Sequence, residues 1–403
     1  MAQLAHYLER TRREREDLYQ HFHRYPELSM HESETSRRIA AELSKRGIDT
    51  VRVAETGLVA TVDNGPGPVV AARADIDGLP VKEDSAMPYA SQATQPDPVT
   101  GRQVPVAHAC GHDVHIVSLI GALDYLHGAR DEWSGTLIGV FQPGEETAEG
   151  ARALVEAGIA SVIPRPDVYL GQHVLSSLPG GHVGLSAGPV FTEAASIRVT
   201  IHGTGSHGSM PELSVDPVVV AASIVMRLQT IVAREVSPSQ TAIVTVGAIN
   251  AGSKSNIIPS DAELLINTRA YDSQVAAHLH GAIERIVRAE CQAARCPLEP
   301  EFEYYDLFPL TDNDADAAAR VRRAFDSAFG EESVDFAPLS ASEDFSIAPD
   351  ALGVAYVYWG LGGFAEPEKA PGNHNPAFAP DMQPTLDRGV EAIVAAAGAW
   401  LRG

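Results

Sequence analysis

The fold is decided by a β-rich run that ends in two adjacent carboxylates, TLIGVFQPGEE at residues 136–146. An apolar stretch with helical spacing precedes this run at 114–126, and another helical stretch follows it near 148–157. Strand-like runs lie on either side of these elements, at 69–74 and 168–171. This alternation of strands and helices predicts an α/β domain with a mainly parallel sheet.

The pattern changes in the middle of the chain. Four alternating, half-exposed strand patterns and two helical stretches occur there, at 196–202, Pro217–Arg234, 242–249, 262–269, 275–293 and 301–305. This order predicts a small α+β unit with an antiparallel sheet, inserted between two parts of the larger domain. A length of 403 residues also favours two domains. We place the larger domain at 1–188 and 307–403 and the insert at 189–306.

Charge and cysteine content limit the partners and the compartment. Thirty Lys and Arg against 53 Asp and Glu give a net charge of −23, which disfavours binding to nucleic acid and to anionic membranes. Residues 1–22 are charged throughout and lack the apolar core of a signal peptide. Three cysteines, Cys110, Cys291 and Cys296, form no disulfide framework in a chain of this length. We therefore expect a cytoplasmic protein without membrane or nucleic-acid partners.

The densest group of chemically active residues is His108-Ala-Cys110-Gly-His112-Asp113-Val-His115, just before a predicted helix. Thiolate, imidazole and carboxylate together suit a divalent transition metal such as zinc or manganese. The structural alternative is a helix cap with a buried thiol and exposed histidines. The residue types alone leave both interpretations open.

Glu145 and Glu146 directly follow the strand-like run at 136–141. Adjacent acids in a turn point in different directions, so one is able to bind metal while the other transfers protons. The alternative is an exposed acidic turn.

The positions of further polar residues favour a site. In open α/β sheets the functional crevice lies at the carboxyl ends of the strands. Asp75 and Asp77 follow the strand at 69–74, and His173 follows the strand at 168–171. Three loops therefore bring ligand-type residues to one edge of the sheet. His374, in the loop sequence GNHNP, is a candidate for a fourth contribution, although an ordinary loop histidine is the alternative.

Nine motifs in this order resemble the dimetal amidohydrolases of the M20 peptidase family. They are HRYPELS (23–29), ARADIDGLP (72–80), HACGHDVH (108–115), QPGEE (142–146), GQHV (171–174), HGTGSHGSMP (202–211), SNIIPSD (255–261), SEDFS (342–346) and GNHNP (372–376). More narrowly, the chain is similar to the branch of aminoacylases, hippurate hydrolases and indole-acetyl-amino-acid hydrolases. The stretches 218–238 and 289–294 are most similar to actinobacterial Nα-acyl-glutamine aminoacylases.

The resemblance implies two divalent metal ions per subunit, zinc or alternatively manganese. The implied ligands are Cys110, His112, Glu146, His173 and His374, with the Cys110 thiolate as the bridge. It implies that Glu145 takes a proton from the attacking water and returns it to the leaving amine. Asp75 and Asp77 stand where other branches keep an HxD motif, and we expect them to orient ligands rather than bind metal.

The resemblance also implies that the insert is a lid and dimerisation domain of a metallopeptidase-like fold. His207 would stabilise the oxyanion in the partner subunit's site, and Asn256 and Arg269 would bind the polar end of the substrate. A surface-loop role for His207 and a structural ion pair for Arg269 are the alternatives. Cys291 and Cys296 are interpreted as structural, because neither lies near a strand end that carries ligands.

Together these observations predict a homodimeric or larger homo-oligomeric hydrolase that cleaves Nα-acyl amino acids, with acyl-glutamine as one candidate, into a carboxylic acid and a free amino acid. A dipeptidase or carboxypeptidase with the same metals is the alternative within the enzyme class. A metal-dependent binding protein without activity is the alternative outside it.

Overall fold

The computed structural model describes residues 2–402, and the chain divides into two units. The first unit contains the chain up to Val190, Asp312–Ala337 and the chain from Asp344 onward. The second unit contains Phe191–Thr311 and Pro338–Glu343.

The first part of the chain contains five helices and nine strands among its described residues. They are α1 (Ala2–Arg24), α2 (Ser33–Lys45), β1 (Thr50–Val53), β2 (Gly57–Asn64), β3 (Val69–Asp75), β4 (Thr94–Pro96), β5 (Gln103–Pro105), α3 (His112–Gly128), β6 (Gly135–Gln142), α4 (Gly150–Glu156), α5 (Ile159–Val162), β7 (Val168–Pro179), β8 (Val183–Leu185) and β9 (Gly188–Phe191).

The second unit and the returning chain follow. The second unit has β10 (Glu193–His202), β11 (Ser206–His207), α6 (Pro217–Arg234), β12 (Ala242–Ala251), β13 (Ile257–Ile258), β14 (Asp261–Ala270), α7 (Ser273–Ala293) and β15 (Glu301–Phe308). The returning chain adds β16 (Thr311–Asn313), α8 (Ala315–Phe329), β17 (Ser333–Asp335), α9 (Ile347–Leu352), β18 (Tyr356–Phe364) and α10 (Met382–Leu401).

The first unit is built on an eight-stranded sheet with the order β1-β2-β6-β3-β7-β18-β8-β17. Its four central strands, β6, β3, β7 and β18, run parallel. Strand β3 is buried along almost its whole length, and α3 has buried side chains on all sides, as expected for elements inside a layered α/β unit. The predicted α/β fold with a mainly parallel sheet is confirmed.

One strand differs from its predicted length. The sequence places the end of the third strand at residue 171, but β7 continues to Pro179, and His173 lies within it opposite Gly360 of β18. The polar residues Gln172 and His173 interrupt the apolar pattern, yet both are buried. The expectation that His173 follows the end of its strand is therefore wrong.

The second unit has a four-stranded antiparallel sheet with the order β12-β14-β10-β15, packed against α6 and α7. This is the α+β insert expected from the sequence. Its observed limits extend to Thr311 and include Pro338–Glu343. Helix α6, with 18 residues, is long and apolar enough to cross a membrane, but its buried side chains belong to the core of this unit, so length and composition are weak evidence for a span.

A buried ion cluster joins α1 to the start of α3. His23 is 1% exposed, and its Nδ1 and Nε2 donate to Asp113 Oδ2 (2.7 Å) and Glu83 Oε1 (2.9 Å). Burial lowers the pKa of His23, but the hydrogen bonds and charges of Asp113 and Glu83 outweigh burial and raise the pKa to about 9. The ring is therefore an imidazolium at neutral pH.

We predict that His23→Gln costs about 3 kcal/mol of stability near neutral pH, because it leaves two buried carboxylates without their cation. The folded pKa lies above the ordinary value of 6.5, so the stabilisation is complete below pH 6.5 and is lost as the pH rises through 9. Thermal melting of wild type and variant between about pH 6 and pH 10 tests this, with the exposed His6→Gln on α1 as control. A constant difference across that range would contradict the account.

Candidate metal centre

The first unit brings all of its predicted metal ligands together. Three overlapping groups have ligand atoms within 4.8 Å of one another: Cys110, His112 and His173; Cys110, Glu146 and His374; and His112, Glu145 and Glu146. The carboxyl end of β6, strand β7, the start of α3 and the loop at 370–376 deliver these side chains. The parallel sheet therefore produces the cluster from segments that are distant in sequence.

Gly111 fixes how the chain passes from Cys110 into α3. Its φ is +83°, and a Cβ at this position would lie 2.3 Å from Val174 Cγ1. Only glycine fits this left-handed conformation and this close approach. Consequently Cys110 lies just before the helix, and His112 is its first residue.

The distances within the cluster are those of groups that share a cation. Cys110 Sγ lies 3.4 Å from His173 Nε2, and His374 Nε2 lies 3.2 Å from Glu146 Oε2. His112 Nε2 and Glu146 Oε1 are 3.8 Å apart, and both are buried without a hydrogen-bond partner among residues 2–402. Leaving such atoms unsatisfied is costly, whereas a divalent cation would satisfy both. The residues present therefore fit a metal site.

Asp77 orients two of these ligands. His112 Nδ1 donates to the Asp77 carbonyl oxygen (2.9 Å) and to Asp77 Oδ1 (3.1 Å), which turns Nε2, the nitrogen that a cation would bind in place of a proton, toward the cluster. Asp77 Oδ2 accepts from the Glu146 amide (3.0 Å) and from Ser29 Oγ (2.6 Å). Burial raises the pKa of Asp77, but these bonds outweigh it and lower the pKa, so Asp77 is a carboxylate.

Asp75 is held by Arg73, which the sequence analysis did not select, and by His115, which belongs to the 108–115 group but was given no role. Arg73 Nη1 donates to Asp75 Oδ2 (2.5 Å), and His115 Nδ1 donates to Asp75 Oδ1. His115 Nε2 in turn accepts from the Val174 amide (2.9 Å). Asp75 Oδ2 is also 3.7 Å from His112 Nε2. Asp75 is therefore positioned beside the ligands by fully buried partners.

The cluster has a strongly negative potential. Burial lowers the pKa of His112, but Asp75, Asp77 and Glu146 outweigh burial and raise that pKa to about 10. Burial and the same kind of neighbouring carboxylates raise the pKa of the Cys110 thiol well above its usual range. An excess of buried negative charge is the environment that a divalent cation stabilises.

The surroundings of His173 favour the neutral form of its imidazole ring. Burial, followed by the charges of His115 and His112, lowers the pKa of His173 well below its usual value. Its Nδ1 donates to the Val174 carbonyl oxygen (2.8 Å), so Nε2 carries the lone pair that faces Cys110.

Two further residues, Asn373 and Glu32, form hydrogen bonds that position the centre, and the sequence analysis did not identify them. Asn373 Nδ2 donates to the carbonyl oxygens of Val174 (3.2 Å) and Cys110 (3.4 Å). Glu32 accepts from the Gly144 amide (2.8 Å) and from Thr56 Oγ1 (2.7 Å), and it thereby fixes the turn before Glu145. Asn373 stands beside His374 in a selected motif, which is a usable sequence signal, whereas Glu32 resembles an ordinary helix-start residue.

The remaining predicted site residues belong to the second unit. His207 is exposed in β11, and its Nδ1 bonds Ser209 Oγ (2.7 Å). Asn256 is exposed, and its carbonyl oxygen accepts from the Gly208 amide (2.8 Å). Arg269 Nη1 donates to the Ser340 carbonyl oxygen (2.5 Å) and Ser342 Oγ (2.9 Å). The substrate and oxyanion roles of these three residues stay predictions.

The sequence model of peptidase family M20/M25/M40 matches residues 71–399. The chain belongs to this family. It is 33% identical to the N-acetylcysteine deacetylase of Bacillus subtilis (strain 168), over 92% of this chain and 91% of that protein. It is also 33% identical to the IAA-amino acid hydrolase ILR1-like 4 of Arabidopsis thaliana, over 88% and 79% of the two chains. These relatives identify an amidohydrolase of the aminoacylase and indole-acetyl-amino-acid hydrolase branch.

Two other similarities bear on the centre. The Thermostable carboxypeptidase 2 of Saccharolobus solfataricus (strain ATCC 35092 / DSM 1617 / JCM 11322 / P2) is 34% identical over 80% of both chains. The crystal structure of the Bacillus subtilis YXEP protein, described as a dinuclear metal-binding peptidase of the M20 family, has a TM-score of 0.79 and 26% identity, with 96% of this chain and 98% of that chain covered. Together with the ligand cluster, this similarity supports two metal ions.

We predict that Cys110→Ser loses metal affinity, because a serine hydroxyl is a far poorer anionic ligand than a thiolate. The loss should exceed the roughly 10- to 100-fold cost of removing an outer hydrogen-bond partner of a ligand. Elemental analysis after dialysis against a weak chelator measures this. Cys291→Ser, a buried thiol of the second unit, is the matched control and should keep its metal. Full metal content in Cys110→Ser would make Cys110 a structural thiol.

Proposed function

We propose that the enzyme hydrolyses Nα-acyl amino acids to a carboxylic acid and a free amino acid, with Glu145 as the proton-transfer group. The observation that carries this proposal is the pair Glu145 and Glu146 at the end of β6. Both acids approach His112 Nε2, Glu146 Oε1 at 3.8 Å and Glu145 Oε2 at 3.9 Å. Glu146 Oε2 also lies 3.2 Å from His374 Nε2, and Glu146 shares a group of possible ligands with Cys110 and His374. The additional contacts of Glu146 support its role as the ligand, and this assignment leaves Glu145 for proton transfer.

The residues that would hold the two ions are Cys110, His112, Glu146, His173 and His374. Divalent ions held there would polarise the amide carbonyl and stabilise the negative charge that develops on its oxygen. The thiol and three imidazoles favour zinc, and manganese is the alternative.

Glu145 performs the proton transfers in this proposal. It takes a proton from the water that attacks the carbonyl carbon and then donates that proton to the leaving nitrogen. The turn that carries Glu145 is held by Glu32 through the Gly144 amide and by Asp77 through the Glu146 amide. These buried contacts keep the carboxylate in place between the two transfers.

The substrate class rests on the relatives. One matched protein is named for N-acetylcysteine and another for IAA-amino acids, and both names describe an acyl group on an amino acid. Because one relative is named a carboxypeptidase, a peptide is the second candidate substrate. The relatives described above are named as a deacetylase, a hydrolase and a carboxypeptidase, which disfavours the non-enzymatic alternative. Acyl-glutamine preference and a cytoplasmic location stay predictions.

A homodimer through the second unit is also proposed. Helix α6 exposes Val219 (65%) and Met226 (73%), and the sheet-edge strand β12 exposes Ile249 (50%). An apolar helix face beside an open strand edge suits pairing with a second copy across a two-fold axis. In that dimer His207 would act in the partner's site. A monomer in sedimentation at micromolar concentration would contradict the dimer.

The test is amine release from a panel of N-acyl amino acids and dipeptides by metal-loaded wild type and Glu145→Gln. We expect wild type to prefer N-acyl amino acids with a free α-carboxylate. Glu145→Gln should lower kcat by about 10²- to 10⁴-fold, because the proton-transfer group is lost. Its metal content should remain that of wild type, because the ligands are unchanged.

Two outcomes would overturn parts of the proposal. A strict requirement for a free α-amine on the acyl side would replace it with a dipeptidase. Near-normal turnover, or loss of metal, in Glu145→Gln would show that the division of roles between the two glutamates is wrong.

A further inference from the structure

Helix α7 of the second unit ends in a Schellman motif. The Cys296 amide donates to the Cys291 carbonyl oxygen (2.9 Å), and the Arg295 amide donates to the Gln292 carbonyl oxygen (3.0 Å). Arg295 adopts the left-handed conformation that this motif requires, with φ of 62°. These are the two nested hydrogen bonds that define the motif.

The motif places Cys291 and Cys296 side by side. In a Schellman turn, the residue near the end of the helix and the residue just after the turn commonly contact each other through apolar side chains. Here both positions are cysteine. Cys291 is 2% exposed within the core of the second unit, and Cys296 packs against that core while remaining partly accessible.

We propose that Cys291 and Cys296 form a reversible intrachain disulfide, a redox modification site that uses none of the metal ligands. The two residues are five positions apart, and the turn that joins them is already closed by backbone hydrogen bonds. Bond formation therefore requires a small-molecule disulfide that accepts two electrons as the two thiols lose their protons, but little movement of the chain.

The partly exposed Cys296 reacts first. Burial, followed by the charge and hydrogen bond of Cys296, raises the pKa of Cys291 to about 12 and suppresses its thiolate. The Cys296 thiolate attacks a small-molecule disulfide, forms a mixed disulfide and releases one thiolate. The Cys291 sulfur then attacks the Cys296 sulfur and expels the second thiolate. Two protein thiols are oxidised, one small disulfide is reduced to two thiols, and two protons leave the protein.

A disulfide reagent separates this chemistry from oxidation of the metal centre. Oxidised glutathione is too bulky to reach Cys110, which is 7% exposed, whereas Cys296 is partly accessible. The reduced, metal-loaded enzyme is incubated with oxidised glutathione, and free thiols are blocked with N-ethylmaleimide. Digestion with trypsin without reduction then reports the pairing, because Arg295 lies between the two cysteines.

We expect peptides 289–295 and 296–320 to appear as one linked species that separates on reduction. Cys296→Ser should give no adduct on Cys291. Cys291→Ser should accumulate glutathione on Cys296, because the second thiol is missing. Neither variant should change the basal hydrolysis rate or the metal content.

Three results would overturn the proposal: wild type with both thiols free after exposure, a lasting glutathione adduct on wild-type Cys296, or a link between two chains. The wild-type peptide map identifies the first two outcomes, and a non-reducing denaturing gel of the undigested wild type identifies a link between two chains, so the test does not depend on the folding of a variant. Because it reads a covalent bond, its failure leaves the proposed hydrolase function untouched.

Discussion

The candidate centre depends on one buried carboxylate, Asp77. Its two oxygens accept hydrogen bonds from His112, Glu146 and Ser29, and these donors belong to three separate segments of the chain. A buried charge is tolerated only when it is satisfied in this way, so the contacts are mutually required. Asp77 thereby fixes the ring nitrogen that His112 presents and the backbone position from which Glu146 extends.

A second buried charge links the strands behind the site. Arg73 is fully buried in β3 and donates to Asp75, to Gln142 Oε1 at the end of β6 (3.0 Å) and to Asp344 Oδ1 (3.2 Å). Asp344 also accepts from the Ala151 amide (2.9 Å) at the start of α4. The ends of two parallel strands and the following helix are thus held by one guanidinium. The ligands extend from a frame that is already rigid.

The architecture was predictable from local pattern, and so was the presence of ligand-type residues at one edge of the sheet. Strand and helix periodicity predicted a mainly parallel sheet, and the strand-end rule selected Asp75, Asp77, Glu145 and Glu146 before any contact was known. Order and spacing of the nine motifs indicated the family. These signals succeed because each is carried by residues close together in the chain.

The supporting contacts were not predictable because they join distant segments. Arg73 meets Asp344 across 271 positions, and Glu32 meets Gly144 across 112. The residues next to a buried arginine or glutamate do not differ from those next to an exposed one. The sequence therefore does not indicate which distant residue forms its hydrogen bond, and only the fold shows it. The length of β7 was also not predictable, because the polar residues Gln172 and His173 interrupt its apolar pattern and their burial is shown only by the fold. The contact of Cys291 with Cys296 is local, but it depends on a left-handed conformation at Arg295, which a residue other than glycine does not indicate in the sequence.

The most direct test of the account is a zinc titration of the metal-free protein against a competing chromophoric chelator, for wild type, Asp77→Ala and Asp97→Ala, a partly exposed residue outside the centre. The account predicts two ions per chain in wild type and Asp97→Ala. In Asp77→Ala it predicts at least one site weakened by about 10- to 100-fold, because His112 and Glu146 lose their common anchor. Two sites of wild-type affinity in Asp77→Ala would contradict the claim that this carboxylate organises the centre.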